Sequence, residues 1–283
     1  MLKVLETEAR SILARTSGFI AQAGFTHSLN PARNCTYGCT YCYVPSLRIY
    51  AGLRRQDWER WGQFTTYKSN AAALLAKELR PSQVIYCSPL VDPYQPVEAE
   101  RAGMPALLEA LALAPPALFV LQTRGPLVLR DVALLLRIPR VRVSFSLTTN
   151  WEDVRRRYEP RCAPFAERLA VIRALVAAGI DTYATLAPLL PCGLEEMVAA
   201  ACEATPNALI ADPLHVRATK PHGATSREAA MRVAGHHGEQ EWFVPEFQQT
   251  LVERLRQAGR ERGREVGVGP AGFSILTRPW KAV

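Results

Sequence analysis

Hydrophobic and polar positions along the chain follow two alternating periods. Short runs rich in apolar and β-branched residues predict strands at 83–87, 117–122, 141–147, 180–187 and 207–211, with a first strand near 24–29. The stretches between them carry apolar residues at helical spacing and predict helices at 69–79, 101–112, 127–136 and 164–178. In the last of these, Leu169, Ile172 and Val176 share one face, and Gly179 ends the helix.

Repeated strand–helix units at this spacing predict parallel strands joined by crossover helices. Six such units predict an α/β fold, a partial (β/α)6 barrel of the TIM type, whose active site lies at the carboxyl ends of the strands. We expect an N-terminal extension at 1–23, a core barrel at 24–213, and a lid or insertion with a closing helix at 214–283, all within one domain. Residues 214–245 lack clear periodicity, whereas 245–262 predicts a helix and 265–269 a strand.

Three cysteines stand in a CxxxCxxC array directly after the first predicted strand: Cys35, Cys39 and Cys42. A [4Fe–4S] cluster usually has four cysteine ligands, so three thiolates leave one iron open to a small molecule. Zinc is a weaker alternative because it takes four ligands, usually as two pairs. A disulfide framework is disfavoured by the odd count of seven cysteines, and chance placement of structural cysteines is the remaining alternative.

Composition limits the function classes. The 283 residues are 48% hydrophobic, with no membrane-length apolar run and no apolar signal-peptide core, so we expect a cytoplasmic protein with reduced thiols. The net charge of +8 is mostly arginine, concentrated within 48–60, 155–161 and 254–264. Such clusters fit a polyanionic partner such as nucleic acid, or equally a solvated basic surface.

Several ordered segments resemble the radical S-adenosylmethionine (SAM) superfamily, and within it the family of spore photoproduct lyase and its relatives. These segments are NPARNCTYGCTYCYVP, TYKSNAAALLAKELR, SPLVDPYQPVEAE, QTRGPLVLRD, VRVSFSLTT and YEPRCAPFAERLAVIRALVAAGI. The resemblance extends from about residue 30 to 190. It implies that the three cysteines hold a [4Fe–4S] cluster, that SAM binds the open iron, and that reductive cleavage yields a 5′-deoxyadenosyl radical which removes a substrate hydrogen.

The same resemblance implies roles for further residues. Asp92, Arg124 and Ser146 are expected to contact SAM, with Arg124 in place of a family lysine. Val91 stands in place of a family threonine, and Ser88 is expected to replace the hydroxyl that this removes from the SAM site. Tyr41 and Tyr43 are expected beside SAM, with a part in returning a hydrogen atom. Each has a plainer alternative: packing of the cluster loop for the tyrosines, an Asp-Pro turn for Asp92, and ordinary solvation or backbone satisfaction for Arg124 and Ser146.

Cys87 is the candidate for the hydrogen donor that the lyase places near its second strand. It stands two residues before the aligned position, within the predicted strand, where burial as a small apolar residue is the plainer expectation. The substrate class therefore stays open between a DNA photolesion or other nucleic acid and a peptide or small molecule. A non-enzymatic metal-binding or electron-transfer protein is a lesser alternative. The resemblance implies an external one-electron reductant of the flavodoxin or ferredoxin type. We expect no membrane partner.

Overall fold

The structure, a computed structural model, describes residues 2–46, 60–216 and 228–279. Its strands are β1 (Lys3–Thr7), β2 (Leu13–Arg15), β3 (His27–Leu29), β4 (Ala32–Arg33), β5 (Phe64–Lys68), β6 (Val84–Cys87), β7 (Leu118–Thr123), β8 (Val141–Ser146), β9 (Asp181–Leu189), β10 (Leu209–Pro213) and β11 (Val266–Val268). Eight of these form one sheet in the order β11-β10-β9-β8-β7-β6-β3-β2. All neighbours in this sheet are parallel except β2 and β3, so the predicted α/β barrel is confirmed.

Helices connect the parallel strands, as the sequence predicts. In the described residues they are Gly18–Gln22, Ala71–Glu78, Glu98–Arg101, Met104–Leu113, Val132–Leu135, Glu152–Tyr158, Phe165–Ala177, Leu194–Ala204, Ala229–His237, Pro245–Arg260 and Gly269–Phe273. Two predicted helices differ in detail. The segment 101–112 is interrupted at Ala102, whose φ is 46°, and the segment 127–136 begins as the 3-10 turn Pro126–Asp131.

Side chains on the strands alternate between two apolar clusters. Ile85, Cys87, Phe119 and Val143 belong to the larger cluster, which includes the buried faces of the crossover helices. Residues one position away, among them Tyr86, Val120, Tyr183 and Ile210, belong to a smaller cluster with Phe25, Phe273 and Leu276. Because successive strand residues point to opposite faces, the second set lies on the inner face of the curved sheet.

Strands near both ends of the described chain take part in the sheets. β1 pairs with β5 in a separate three-stranded sheet of order β1-β5-β4, while β2 adds an antiparallel strand to the main sheet beside β3. At the other end, β11 pairs with β10 in parallel, which confirms the strand predicted at 265–269. The predicted extension and closing segment are therefore built into the same sheets as the core.

The segment 214–245, predicted without regular structure, contains the helix Ala229–His237 and the 3-10 turn Gln240–Phe243. The residues that this helix buries are Ala230 and Ala234. Alanines give a weak hydrophobic signal, so the sequence of this helix shows no clear helical period. Residues 217–227 of the predicted lid lie outside the described residues. Within the described part of the chain, none of the helices has the length and apolar content needed to cross a membrane.

Candidate cofactor and substrate site

One cavity of about 340 Å³ lies at the carboxyl ends of the parallel strands, which is large enough for a small-molecule ligand. All three cysteines of the CxxxCxxC array line it. Tyr41, Tyr43, Ser88, Asp92, Arg124 and Ser146 also line it, so nine of the ten predicted site residues meet at one place. Their individual roles stay predictions.

The loop that carries the cysteines is held by contacts from three distant segments. The side chain of Gln95 accepts hydrogen bonds from the backbone N–H and hydroxyl of Thr36, at 2.8 and 3.0 Å. Arg161 donates from the opposite side to the carbonyl of Thr36 at 2.8 Å and to the carbonyl of Gly62. Gly62 and Gly38 meet backbone to backbone, both with positive φ. Such fixed backbone places the thiols before any ligand arrives.

A buried ion network lies behind the cysteines. The carboxylate of Glu159 accepts hydrogen bonds from Arg124, Arg168 and the hydroxyl of Tyr41. The Glu159 side chain is 0% exposed, and that of Arg168 is 2% exposed. Burial alone would raise the pKa of Glu159, but the charges of Arg168 and Arg124 outweigh it and lower the pKa to about 2. Glu159 therefore stays charged and fixes the position of Arg124.

Cys39 is the cysteine that this network touches. The guanidinium of Arg124 lies 3.7 Å from Cys39 Sγ, and the Cys162 sulfur lies within 4.8 Å of the same atom. The pKa of Cys39 is lowered, first by interaction with the Cys162 thiol and then by the positive charge of Arg124, which together exceed the effect of burial. A thiolate is the form that binds metal, so the surroundings of Cys39 favour ligation.

The donor set fits an iron–sulfur cluster. Cys35 is buried, and this raises its thiol pKa, with a further contribution from the nearby Asp92 carboxylate. A bound metal ion deprotonates its thiol ligand outright, so burial is no obstacle to binding. The third thiol, Cys42, is half-buried and borders the same cavity. Two buried thiols and one half-buried thiol beside a cationic arginine match a cluster shielded from water on one side and open to the cavity on the other.

Asp92 is engaged mainly by its own surroundings. Its Oδ1 accepts from the Tyr94 N–H at 2.9 Å and from the Thr123 hydroxyl at 2.7 Å, and its Oδ2 accepts from the Arg124 N–H at 2.8 Å. The guanidinium of Arg124 lies 3.8 Å from Oδ2. These contacts use most of the lone pairs of the carboxylate. The structure thus gives Asp92 a part in joining the loops after β6 and β7, while its contact with SAM stays a prediction.

A belt of polar side chains crosses the inner face of the sheet beneath the cavity. Tyr86 on β6 and Ser144 on β8 both donate to the side-chain oxygen of Gln122, at 2.9 and 2.6 Å. Gln122 donates to the hydroxyl of Ser146 at 2.7 Å, and Ser144 is 2.5 Å from the hydroxyl of Thr185 on β9. Ser146 accepts within this belt, so its hydroxyl proton is available to a ligand in the cavity.

Cys87 is the predicted site residue that the structure does not bring to the cavity. It lies on β6 with 0% exposure, in the larger apolar cluster on the helix side of the sheet. Its neighbours Tyr86 and Ser88 both line the cavity, and Ser88 donates to Asn30 at 2.8 Å. Strand alternation therefore turns Cys87 away. Tyr43 lines the cavity instead, and its hydroxyl donates to the Pro89 carbonyl at 2.9 Å.

The sequence pattern gives no site role to Glu159, Cys162 or Arg168, and it places Arg161 only within a basic cluster. The signal was an acidic residue within an otherwise basic stretch, RRRYEPR, that continues into an apolar helix. The segment brings Glu159 to Arg124, Arg161 to the cysteine loop and Cys162 to Cys39. This segment therefore supports the loop that carries the three cysteines.

The arginine clusters are less available than the sequence suggested. Arg155 and Arg156 both pair with Glu152, at 2.7 and 3.1 Å, and Arg157 pairs with Asp153 at 2.8 Å. In the C-terminal cluster, Arg254 pairs with Glu195 at 2.7 Å. Most of the cluster at 48–60 lies outside the described residues. Neighbouring carboxylates therefore partly neutralise the described basic clusters.

Two proteins with similar sequences are themselves uncharacterized. The chain is 33% identical over 177 residues to an uncharacterized protein of Mycobacterium tuberculosis, a match that covers 59% of this chain and 50% of the relative. An uncharacterized protein of Methanocaldococcus jannaschii is 24% identical over 168 residues, 59% of this chain and 62% of that one. The chain thus spans about half the length of the mycobacterial relative it matches.

Among solved structures, spore photoproduct lyase complexed with dinucleoside spore photoproduct is similar with a TM-score of 0.66. The match has 14% sequence identity and covers 94% of this chain and 81% of the lyase, which shows a shared fold. A family model described as the radical SAM superfamily matches residues 29–201, which include the cysteine array and the strands β4 to β9. That family implies a [4Fe–4S] cluster and SAM. The chain therefore belongs to the radical SAM superfamily.

Proposed function

We propose that this protein is an enzyme that cleaves SAM reductively and removes a hydrogen atom from a nucleic-acid substrate, of the DNA photolesion class. The single observation that carries the radical SAM chemistry is the shared cavity: three cysteines and the predicted SAM-contacting side chains border one space at the strand ends. The nucleic-acid substrate rests on the resemblance of the sequence motifs and on a fold shared with spore photoproduct lyase. The net charge of +8 is compatible with it.

The residues divide into two groups by what they would hold. Cys35, Cys39 and Cys42 would hold the cluster. Arg124 and Ser146 present a cation and a hydroxyl to the cavity, and would hold the carboxylate and the ribose or ammonium end of SAM. When bound, the cluster and SAM together supply one-electron cleavage of a C–S bond and a route to hydrogen removal.

Arg124 also has a structural task in this proposal. Its Nη1 contacts Glu159 and Tyr41, while its Nε faces Asp92 at 3.8 Å. A planar guanidinium fixed on two sides presents its remaining edge in one direction. This preorganisation reduces the side-chain ordering that SAM binding would otherwise require.

The placement of Cys87 bears on lesion repair. A hydrogen donor must reach the substrate, and the Cys87 thiol faces the crossover helices. A repair reaction in this protein would therefore take its returning hydrogen from another group. Tyr41 and Tyr43 both border the cavity. The Tyr41 hydroxyl is held by Arg124 and Glu159, whereas the Tyr43 hydroxyl donates to one backbone carbonyl, so Tyr43 is the better candidate of the two.

The same observation favours a second candidate, a radical SAM reaction on a peptide or small molecule that needs no cysteine donor. The ion-paired state of the described arginine clusters points the same way. Cluster, SAM and the supporting network would be unchanged in that case, because one barrel can host many substrates. Both candidates need an external one-electron reductant of the flavodoxin or ferredoxin type.

The test is an anaerobic assay of cluster-reconstituted protein with SAM and dithionite, with and without DNA that contains spore photoproduct. Mass spectrometry would follow 5′-deoxyadenosine and restored thymine together. Cys42→Ala is expected to abolish 5′-deoxyadenosine formation, whereas Cys202→Ala, which changes another half-buried cysteine on the helix Leu194–Ala204, is the matched control.

Each outcome has a definite meaning. Thymine restoration supports the DNA photolesion substrate. Formation of 5′-deoxyadenosine without thymine supports radical chemistry on the second class of substrate. Full activity of Cys42→Ala would refute the radical SAM function itself.

A further inference from the structure

The cavity contains one carboxylate that the cluster and SAM groups do not account for. Asp212 lies near the end of β10, two strands beyond Ser146, and lines the cavity. Its side chain is 2% exposed. Its Oδ1 lies 3.4 Å from His215 Nε2, while its Oδ2 is buried with no hydrogen-bond partner among the described residues.

This unpartnered oxygen marks a break in the polar belt. From β6 to β9 the belt side chains form hydrogen bonds to one another through Gln122, Ser144 and Thr185. On β10 the next inward polar group is Asp212, and the chain of bonds does not continue to it. Leaving a buried carboxylate oxygen without a donor is costly, so such a group in a cavity calls for a partner, and a bound ligand can supply one.

The walls near Asp212 are apolar and aromatic. Phe19 and Phe273 stack edge to face with ring centroids 5.1 Å apart, and both line the cavity. Tyr86 and Ala187 also line the cavity. An aromatic wall with one buried acceptor complements a flat ring that carries a single N–H donor.

Asp212 comes from a strand that carries none of the groups assigned to the cofactors. The cysteines follow β3 and β4, and Ser88, Arg124 and Ser146 come from β6, β7 and β8. Asp212 comes from β10, on the far side of the sheet order from β3. Asp212 is therefore available to a substrate group, and SAM affinity distinguishes such a contact from one with SAM.

We propose that Asp212 recognises the substrate by accepting a hydrogen bond from the ring N–H of a nucleobase seated against Phe19 and Phe273. This assignment deepens the proposed function and rests on it. The torsion that turns an aspartate carboxylate is broad and two-fold, so either oxygen can be presented to the cavity while the other stays near His215. An imide N–H of a pyrimidine supplies the missing donor, and the aromatic residues cover the ring.

The test measures binding, with no reductant, so that no SAM is cleaved. The probes are dinucleoside spore photoproduct and the same compound methylated at both imide nitrogens. Reconstituted wild type, Asp212→Leu and Asp212→Asn are titrated with each probe in the presence of SAM, and SAM affinity is measured separately. Loss of one charge-assisted hydrogen bond corresponds to about a tenfold or greater weakening.

We expect Asp212→Leu to bind the unmethylated probe about tenfold or more weakly than wild type, and Asp212→Asn, which keeps an acceptor oxygen, to lose less. The methylated probe should bind wild type weakly and should be insensitive to the substitution. Asp212→Asn has nearly the same shape as wild type, so it tests the assignment even if the leucine variant folds poorly.

Four results would overturn the proposal: equal probe affinity in wild type and Asp212→Leu, an equal loss for both probes, a loss of SAM affinity in parallel with the probe, or failure of wild type to bind the probe. The last result combined with intact SAM cleavage would remove the nucleobase assignment and leave the radical SAM chemistry standing. Absence of SAM cleavage in wild type would instead count against the proposed function.

Discussion

Replacing Glu159 with glutamine removes the negative charge that Arg124 and Arg168 share. The carboxylate is fully buried, Arg168 is 2% exposed, and Arg124 is 16% exposed, so water can compensate little of the loss. Removing one partner of a buried ion pair typically costs about 3–5 kcal/mol, because the remaining charge stays desolvated. Glutamine has nearly the same size, so the change tests the charge and not the packing.

At about 2–4 °C per kcal/mol for a chain of this size, this cost corresponds to a melting temperature lower by roughly 6–20 °C. The measurement is thermal unfolding of reconstituted wild type and Glu159→Gln under anaerobic conditions, followed by circular dichroism. Glu195→Gln is the matched control. Glu195 pairs with Arg254 at 2.7 Å, but both side chains are about half exposed, so its loss should cost about 1 kcal/mol or less.

The network also positions Arg124 and supports Cys39, so the variant should retain less iron after desalting than the control does. A melting temperature for Glu159→Gln within the range of the Glu195→Gln control would refute the reasoning. It would mean that the two arginines find other partners or that water enters the site, and that the ion network contributes little to the fold.

The charge of Glu159, the guanidinium of Arg124 and the close approach of Gly62 to Gly38 each lead to a further prediction. Glu159 has a pKa lowered to about 2 from an ordinary 4.5, so its stabilisation is present above pH 4.5 and is lost as the pH falls toward 2. Wild type should therefore lose about 2 kcal/mol more stability than Glu159→Gln between pH 6 and pH 3, and parallel pH profiles in denaturant titrations would contradict this. Arg124→Gln should slow 5′-deoxyadenosine formation about tenfold or more, and Arg124→Lys less because it keeps the charge. An unchanged rate in the glutamine variant would argue against a SAM contact. Gly62→Ala places a Cβ 2.5 Å from the Cα of Gly38 in the cysteine loop, whereas Gly179→Ala, also at positive φ, meets nothing within 4 Å. The first variant should therefore incorporate less iron than the second, and equal iron content would show that the close approach is dispensable.

The sequence by itself determined the class of fold and the candidate metal ligands. Apolar strand runs alternating with helical periods are local signals, and they led to a parallel barrel whose strands fall within a few residues of prediction. The spacing of Cys35, Cys39 and Cys42 is also local, since all three lie within one loop of eight residues. The arrival of the predicted side chains at one cavity follows from parallel topology, because every strand ends at the same edge.

Strand alternation could also have settled the position of Cys87. Ser88 and Tyr86 stand one residue on either side of it, and period two sends Cys87 to the opposite face. The resemblance to a lyase with a cysteine near this strand drew attention to the residue type. The alternation of side chains along the strand places the Cys87 thiol in the larger apolar cluster.

The tertiary structure alone decided which charges meet. Arg124 and Glu159 are 35 residues apart, and Arg124 and Asp92 are 32 apart, so neither pair lies within a local stretch of the sequence. A buried charge is stable only where its partner is also buried, and that condition is set by the closure of the barrel. The arginines around Glu159 left a polyanion-binding surface and a solvated surface equally open, whereas the fold buries Glu159 completely.

Asp212 illustrates the same limit. Its place near the end of a strand was predictable, because 207–211 reads as an apolar strand and the carboxylate follows it. Hydrogen bonds between β6, β7, β8 and β9 join the other polar side chains of the inner face to one another. Asp212 Oδ2 has no partner among the described residues. Hydrogen-bond satisfaction is a property of the assembled sheet, so only the folded arrangement reveals the acceptor that remains.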